Sequence, residues 1–197
     1  KAAVDRLANQ NGALDTEAET AHMAADVIFR TLFSIPIEDG DASRVYRAFQ
    51  DYQQRQPLLT PFALLRLPGW GFRKGRAEAA EIRRLLSSLV EKRAAEIAAG
   101  HAPDDLATKI MTFADPETGD IFGPEEMVDQ VAIFFLAGHE TSASAIAWAL
   151  YLLAAAPDIQ DRAAAEVAAA WGNGAPGFSD IRKLGFLRDV FRETLRL

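Results

Sequence analysis

Cysteine is missing altogether from this 197-residue chain. Its absence excludes disulfides and thiolate metal sites within these residues, and leaves the redox compartment open. Basic residues are in deficit. Against 28 Asp and Glu stand 21 Lys and Arg, a net charge of −7, which argues against a nucleic-acid surface as the main function. The opening KAAVDRLANQ has neither the apolar run of a signal peptide nor the pattern of a transit peptide, and it lacks an initiator Met. No Gly, Pro or Asn closes the chain either. FRETLRL stops with helical periodicity still running, so the sequence reads as an interior piece of a longer protein. Internal repeats, low-complexity tails and heptads are also lacking. What is there is ordinary for a soluble globular protein, 49% apolar and 25% charged, and long enough for one domain or two small ones.

The nine prolines and most glycines fall between long helical patterns. A helix is expected over 16–33, with Glu17 and Glu19 where the helix dipole favours acids. IPIEDGD breaks it, and Asp41 is the expected cap of a second helix through about Gln54. QPLLTPFALLRLPGW reads as an irregular apolar linker. A charged, amphipathic helix is expected from Lys74 to Ala99, stopped by Gly100, and Pro103 opens a short helix through Met111. FADPETGDIFGP is the only strand-like piece, with Thr118-Gly119 at the turn between two short extended arms. Pro124 then starts a helix with no breaker before Pro157, which would span ~50 Å. Asp158 is expected to cap a helix to about Trp171, GNGAPGFSD to form a loop, and a last helix to start near Phe186. The fold class is mainly α.

The run VAIFFLAGHETSASAIAWALYLLAAA carries His139, Glu140, Thr141, Ser142 and Ser144 at its middle, where burial of polar groups costs free energy. As a membrane span it has the length, but the polar cluster is central and no Lys or Arg flanks it. As a zinc site of the H-E-x-x-H type it fails, because the second histidine would have to be Ala143. As an ordinary core helix its hydroxyls would back-bond to the preceding turn, Thr141 to the carbonyl of Ala137, which leaves Glu140 unexplained. As a catalytic helix, Ala137 and Gly138 would leave bare backbone for a flat ligand. Thr141 lies about 40° around from Ala137 over the same patch, and Glu140 beside it suits proton delivery. His139 points to nearly the opposite side and is expected to be a surface or packing residue. A local π-type widening at Gly138 would free a carbonyl and admit water.

AGHETS resembles the oxygen-activating motif of the cytochrome P-450 family, Ala/Gly-Gly-x-Asp/Glu-Thr-Thr/Ser on a long central helix. Downstream, Glu193-Thr-Leu-Arg196 resembles the family's E-x-x-R signature. Between and around them, MAADVIFRTLFSIP is similar to the family's E helix, DPETGDIFGPEEMVDQVAIFFLAGHET to the hairpin and I helix, and ALYLLAAAPDIQDRAAAEV to the end of the I helix and the J helix. The resemblance covers essentially all of residues 1–197 as one partial domain. In family terms, 1–100 correspond to the D to G helix region, 101–156 to the H helix, hairpin and I helix, and 157–197 to the J to K region.

What the resemblance implies is a partial cytochrome P-450 fold and a haem-thiolate monooxygenase that inserts one atom of dioxygen into a small lipophilic substrate. Haem b would be the cofactor. Electrons would come from NAD(P)H through a redox partner or a fused reductase. Ala137, Gly138, Thr141 and Ser142 would line the distal haem face, with Thr141 holding water and hydrogen-bonding dioxygen and Glu140 relaying protons. Ile133, Leu136 and Ala137 would form part of the substrate wall, and PFALLRLPGW the roof over the entrance. Glu193 and Arg196 would pair with a downstream arginine and lock the haem-binding core; taken alone they are an ordinary helix ion pair. The family holds its iron through a Cys thiolate, and there is none here. The 197 residues by themselves are therefore expected neither to bind haem in the family's way nor to turn over. No nucleic acid and no membrane contact is expected for this segment, and a cytoplasmic location is, with any anchor lying upstream of Lys1. A non-catalytic helical ligand-binding or interaction module and a membrane-anchored helical protein are the competing classes.

Overall fold

In a computed structural model, residues 4–5, 13, 15–54, 70–172 and 177–197 are described, those at 54 and 70–75 by their backbone alone. Of the expected linker at 56–70, residues 56–69 lie outside them and Trp70 is helical. Among the described residues the chain is helical and has no strand, a mainly α architecture.

Helix α1 runs Thr16–Phe33. The Asp15 carboxylate accepts from the Ala18 amide at 3.0 Å, satisfying one of the donors that a helix start leaves over. Helix α2 runs Gly40–Gln54, and its entry corrects an expectation. Asp41 stands inside the first turn, and its own amide donates to the Asp39 side chain at 2.9 Å. Helix α3, Trp70–Ala98, begins four residues before the expected Lys74. It ends as foreseen at Gly100, whose φ of +74° lets the His101 amide reach back to the Glu96 carbonyl and the Gly100 amide to that of Ile97. Helix α4 is Leu106–Thr112, later than Pro103 would open it, because Asp105 is the cap and accepts from the Thr108 amide at 3.0 Å.

The expected strand-like arms do not form. The Asp115 side chain accepts from the Glu117 and Thr118 amides at 2.7 and 3.0 Å, and the Gly119 amide donates to the Asp115 carbonyl. The Asp115 amide closes the turn on the Asp120 carbonyl at 2.7 Å, and the arms do not go on to pair as strands. Helix α5 is Pro124–Ala155, about 48 Å long, with Pro124 first and the Gly123 amide donating to Glu126 at 2.8 Å. It is α-helical throughout, so the widening expected at Gly138 is absent. Helix α6 is Pro157–Trp171. Its N-cap is Ala156, without a side-chain cap, and the expected cap Asp158 sits within the first turn. A 3₁₀ helix, Phe178–Lys183, occupies what reads as loop, and helix α7 is Gly185–Arg196. No single helix among the described residues is long and apolar enough to cross a membrane.

The chain divides into two compact units, with the division falling inside the sequence of α5 rather than at a break between helices. One is His22–His139. Its core interleaves Phe29 of α1, Val45 of α2, Leu86 and Val90 of α3, and Met127, Val131 and Phe135 of α5, all essentially excluded from solvent. The Phe135 ring lies 4.5 Å from that of Phe49 and 5.2 Å from that of Phe29. At the edge of this core Arg93 is buried, with its guanidinium on Asp105 at 2.7 Å, the Phe33 carbonyl at 2.7 Å, Thr108 at 2.9 Å and Glu96 at 3.0 Å. The buried charge is tolerable because almost every donor has a partner. The other unit is Lys1–Ala21 with Glu140–Leu197. Among the described residues its buried side chains are small or few: Thr20, Ala143, Ala163, Leu184 and Thr194.

Candidate functional site

Helix α5 sorts its residues by face. Val128, Val131, Phe135 and His139 are buried and follow one another at three- and four-residue steps. His139 is stacked on Phe135 at 5.3 Å and meets the Tyr46 ring edge-on at 5.6 Å, so of the two roles open to it, packing is the one it fills. On the opposite side Ile133, Leu136, Ala137, Glu140, Thr141 and Ser144 are exposed, and at 100° per residue they share a face about 140° wide. The sequence-selected residues Ile133, Leu136, Ala137, Glu140 and Thr141 thus fall on a single stripe.

Two of the selected residues stand off it. Ser142 is exposed but lies about 100° beyond Thr141 on the wheel. Gly138 corrects the expectation that it leaves bare backbone for a flat ligand. A Cβ on Gly138 would stand 2.5 Å from the Cδ1 of Ile28, so its missing side chain makes room for α1. Ala137, in contrast, is exposed on the stripe.

Within the unit that contains Glu140–Leu197, the outer end of this stripe opens into a cleft of about 480 Å³. Glu140, Thr141, Ser144, Ala145 and Trp148 line it from α5, and Thr194 and Leu195 from α7. The two motifs, some fifty residues apart in sequence, therefore contribute to one concave site. Thr194 is buried and its hydroxyl donates to the Val190 carbonyl at 3.0 Å, which leaves its methyl and the Leu195 side chain as the α7 wall. Thr141 supplies a hydroxyl, Glu140 a carboxylate, and Ala145 and Trp148 an apolar floor. Such a set can hold a small apolar molecule and offer a proton beside it.

Glu193 and Arg196 form a two-pronged pair, Nε to Oε2 at 2.8 Å and Nη2 to Oε1 at 2.6 Å. Arg196 donating to the Glu193 carboxylate holds its pKa below, and that of Arg196 above, the usual value. Both side chains are more than half exposed, so the pair by itself stabilises little.

Four residues were not assigned to the site from sequence. Ser144 and Trp148 follow Thr141 at steps of three and four, a spacing that could have placed them on the stripe. Thr194 lies between the two charged residues of E-T-L-R and carries no signal of its own. Glu166 sits mid-helix in α6, and its partners, the amides of Phe186 and Leu187 at 2.8 Å each, are visible only in three dimensions.

A helical scaffold with an exposed hydroxyl–carboxylate stripe on a long helix, beside an E-x-x-R helix, is the class of architecture that the comparisons with known proteins resolve. The sequence profile of the cytochrome P-450 family matches residues 1–197. Cyclooctat-9-en-7-ol 5-monooxygenase of Streptomyces melanosporofaciens is 30% identical over 184 residues, covering 91% of this chain and 39% of that protein. A bifunctional cytochrome P-450/NADPH–P-450 reductase, ALT2 of Alternaria alternata, is 34% identical over 139 residues, 66% of this chain and 12% of that protein. The crystal structure of a cytochrome P-450, CYP102L1, superposes with a TM-score of 0.77 at 30% identity, over 100% of this chain and 45% of the other. The chain belongs to the cytochrome P-450 family, and spans less than half the length of the relatives it matches.

The family is one of haem-containing oxidoreductases, and the residues present fit one side of that group. The exposed stripe is apolar at Ile133, Leu136 and Ala137, side chains that would suit contact with the face of a flat macrocycle. The thiolate that would hold the iron from the other side is not among these residues, since the chain has no Cys.

Proposed function

We propose that these residues form the oxygen-activating side of a haem-thiolate monooxygenase acting on a small lipophilic substrate. One observation carries this reading: the selected residues Glu140 and Thr141 line the same cleft as Thr194 of the E-T-L-R helix. Haem bound there supplies the activation of dioxygen, with electrons from NAD(P)H through a redox partner or a fused reductase. The fused organisation of the Alternaria relative supports the electron route, and the apolar alcohol named for the Streptomyces relative supports the substrate class.

In this reading Ala137, small and exposed, would be one of the residues that hold the macrocycle. The Thr141 hydroxyl holds a water or the oxygen end of the reacting molecule by hydrogen bonding, and Glu140 delivers protons to that hydroxyl from the solvent side. Ile133 and Leu136, both exposed apolar residues on the preceding turns, wall the substrate and exclude water around it. Glu193 and Arg196 present a planar ion pair for a further arginine to join. The chain alone, lacking the thiolate donor, is expected to give no thiolate-type spectrum when titrated with haem.

The test is Thr141→Ala in the full-length gene product. Haem content and substrate binding are expected to persist while reductant consumption uncouples from product and peroxide is released. Unchanged coupling would remove Thr141 from this role. In the same background Arg196→Ala is expected to abolish haem incorporation, and a normal haem content would count against the locking role of the pair.

A further inference from the structure

Helix α7 has no cap of its own. Its N-cap position is Leu184, an apolar residue that makes no side-chain hydrogen bond. The first amides of a helix carry no intrahelical partner, and a start left unsatisfied is costly when it is shielded from water. Here the acceptor arrives from another helix. The Glu166 carboxylate of α6 takes the Phe186 amide on Oε1 and the Leu187 amide on Oε2, both at 2.8 Å. The Gly185 amide also acts on it, and a Cβ on Gly185 would touch Oε1 at 3.9 Å. One turn earlier on the same face of α6, the Arg162 guanidinium lies over the Phe186 ring, 3.9 Å from its centroid.

We propose that Glu166, with Arg162, is a positioning residue for the site: a cap supplied in trans that fixes where α7 begins and so where Thr194 and Leu195 meet the cleft. A carboxylate is the right group for the task. Two oxygens can serve two consecutive amides, and the negative charge sits at the positive end of the helix dipole. A cap within α7 would satisfy the amides equally well but would leave the helix free to slide on α6. Capping from α6 couples the two helices at one point, and the cation–π contact sets the rotation about that point. The inference concerns α7 itself and does not rest on haem being bound.

The amide donors and the charge around Glu166 act in one direction, against the burial that would raise its pKa. The Phe186 and then the Leu187 amide bonds hold its carboxyl below the usual glutamate range, and Arg162, the charged neighbour on its own helix, adds to this. From α7 the facing groups are the three backbone amides. A folded pKa below the unfolded one means that the clamp contributes fully above the unfolded pKa and is lost as pH falls through the folded one.

The experiment is amide NMR on the ¹⁵N-labelled 197-residue chain, as a function of pH. The Phe186 and Leu187 amide shifts are expected to titrate together, with a midpoint below the ordinary glutamate value. Glu166→Ala is expected to raise hydrogen exchange at these two amides roughly tenfold, as loss of a cap does, and to move the Thr194 and Leu195 resonances. Glu166→Gln, which keeps a carbonyl acceptor, should abolish the titration yet return Thr194 and Leu195 toward their wild-type positions. If the Ala variant melts α7, the Gln variant decides: recovered α7 resonances without a pH response support the clamp, and no recovery overturns it. An ordinary midpoint at Phe186 and Leu187, or an Ala variant that leaves exchange and the α7 resonances unchanged, also overturns it.

Discussion

The second half of helix α5 is the more apolar of the two, and it is the less buried. Up to His139 the helix belongs to a unit with a dense core, and every large side chain that is fully buried in the described structure lies there: Phe29, Phe135, Leu86, Met127, Val45, Val90 and Val131. Beyond it, Trp148, Leu150 and Tyr151 are exposed, and Ala143 is the buried residue of that half. The first unit is held by area removed from water, the larger share of folding free energy in most domains. The second is held to a greater degree by directed contacts such as the Glu166 cap and the Arg162–Phe186 pair. The difference teaches that apolar content does not decide burial: the second half keeps an apolar surface uncovered along the very stripe that carries Thr141.

That contrast can be broken or sharpened by substitution. The largest effect is expected at Phe135, whose ring contacts Phe49, Phe29 and His139. Phe135→Ala should destabilise the His22–His139 unit by about 3–5 kcal/mol in denaturant titration, and a loss under about 1 kcal/mol would mean that this core is not what chiefly holds the unit together. Arg93→Ala comes next, at about 3 kcal/mol, the lower end for breaking a buried pair. Its partner Asp105 would keep the bonds from Ser34 and the Thr108 amide while losing its counter-charge. A unit that unfolds at unchanged denaturant concentration in that variant would show the network to be dispensable.

A middling effect tests the close approach at the motif. Gly138→Ala forces a Cβ against Ile28 and should cost about 1–3 kcal/mol by overpacking. Ile28→Val removes the offending Cδ1, so the double variant should recover most of the loss; strict additivity would place the strain elsewhere. The smallest effect belongs to the exposed half. Trp148→Ala should change stability by no more than about 0.5 kcal/mol, and a loss comparable to that of Phe135→Ala would erase the distinction between the halves.

Helix existence was readable from periodicity and punctuation wherever the signal was local. Pro124, Gly100 and the acidic first turn of α1 did what their chemistry requires. Expectations failed where a neighbouring acidic side chain takes up the amides of a turn or helix start. Asp39 rather than Asp41 takes up the entry to α2, Asp105 rather than Pro103 starts α4, and the Asp115 turn replaces a hairpin. In each case several capping residues lie within three positions, and local sequence does not rank them. At the site, helical geometry alone gathered Ile133, Ala137, Glu140 and Thr141 on one face, while Gly138 needed a neighbour, Ile28, before its purpose could be seen.

By itself, then, the sequence determined the helical class, the long central helix and which of its residues share a face, because these follow from 3.6 residues per turn and from a few residues with restricted backbones. Only the tertiary structure decided which face is covered, that Thr194 joins Thr141 in one cleft, and that the start of α7 is capped from α6. Those outcomes depend on pairs of groups far apart in the chain. A carboxylate meets an amide twenty residues away only after the helices have packed, and nothing in the spacing of either one announces the other.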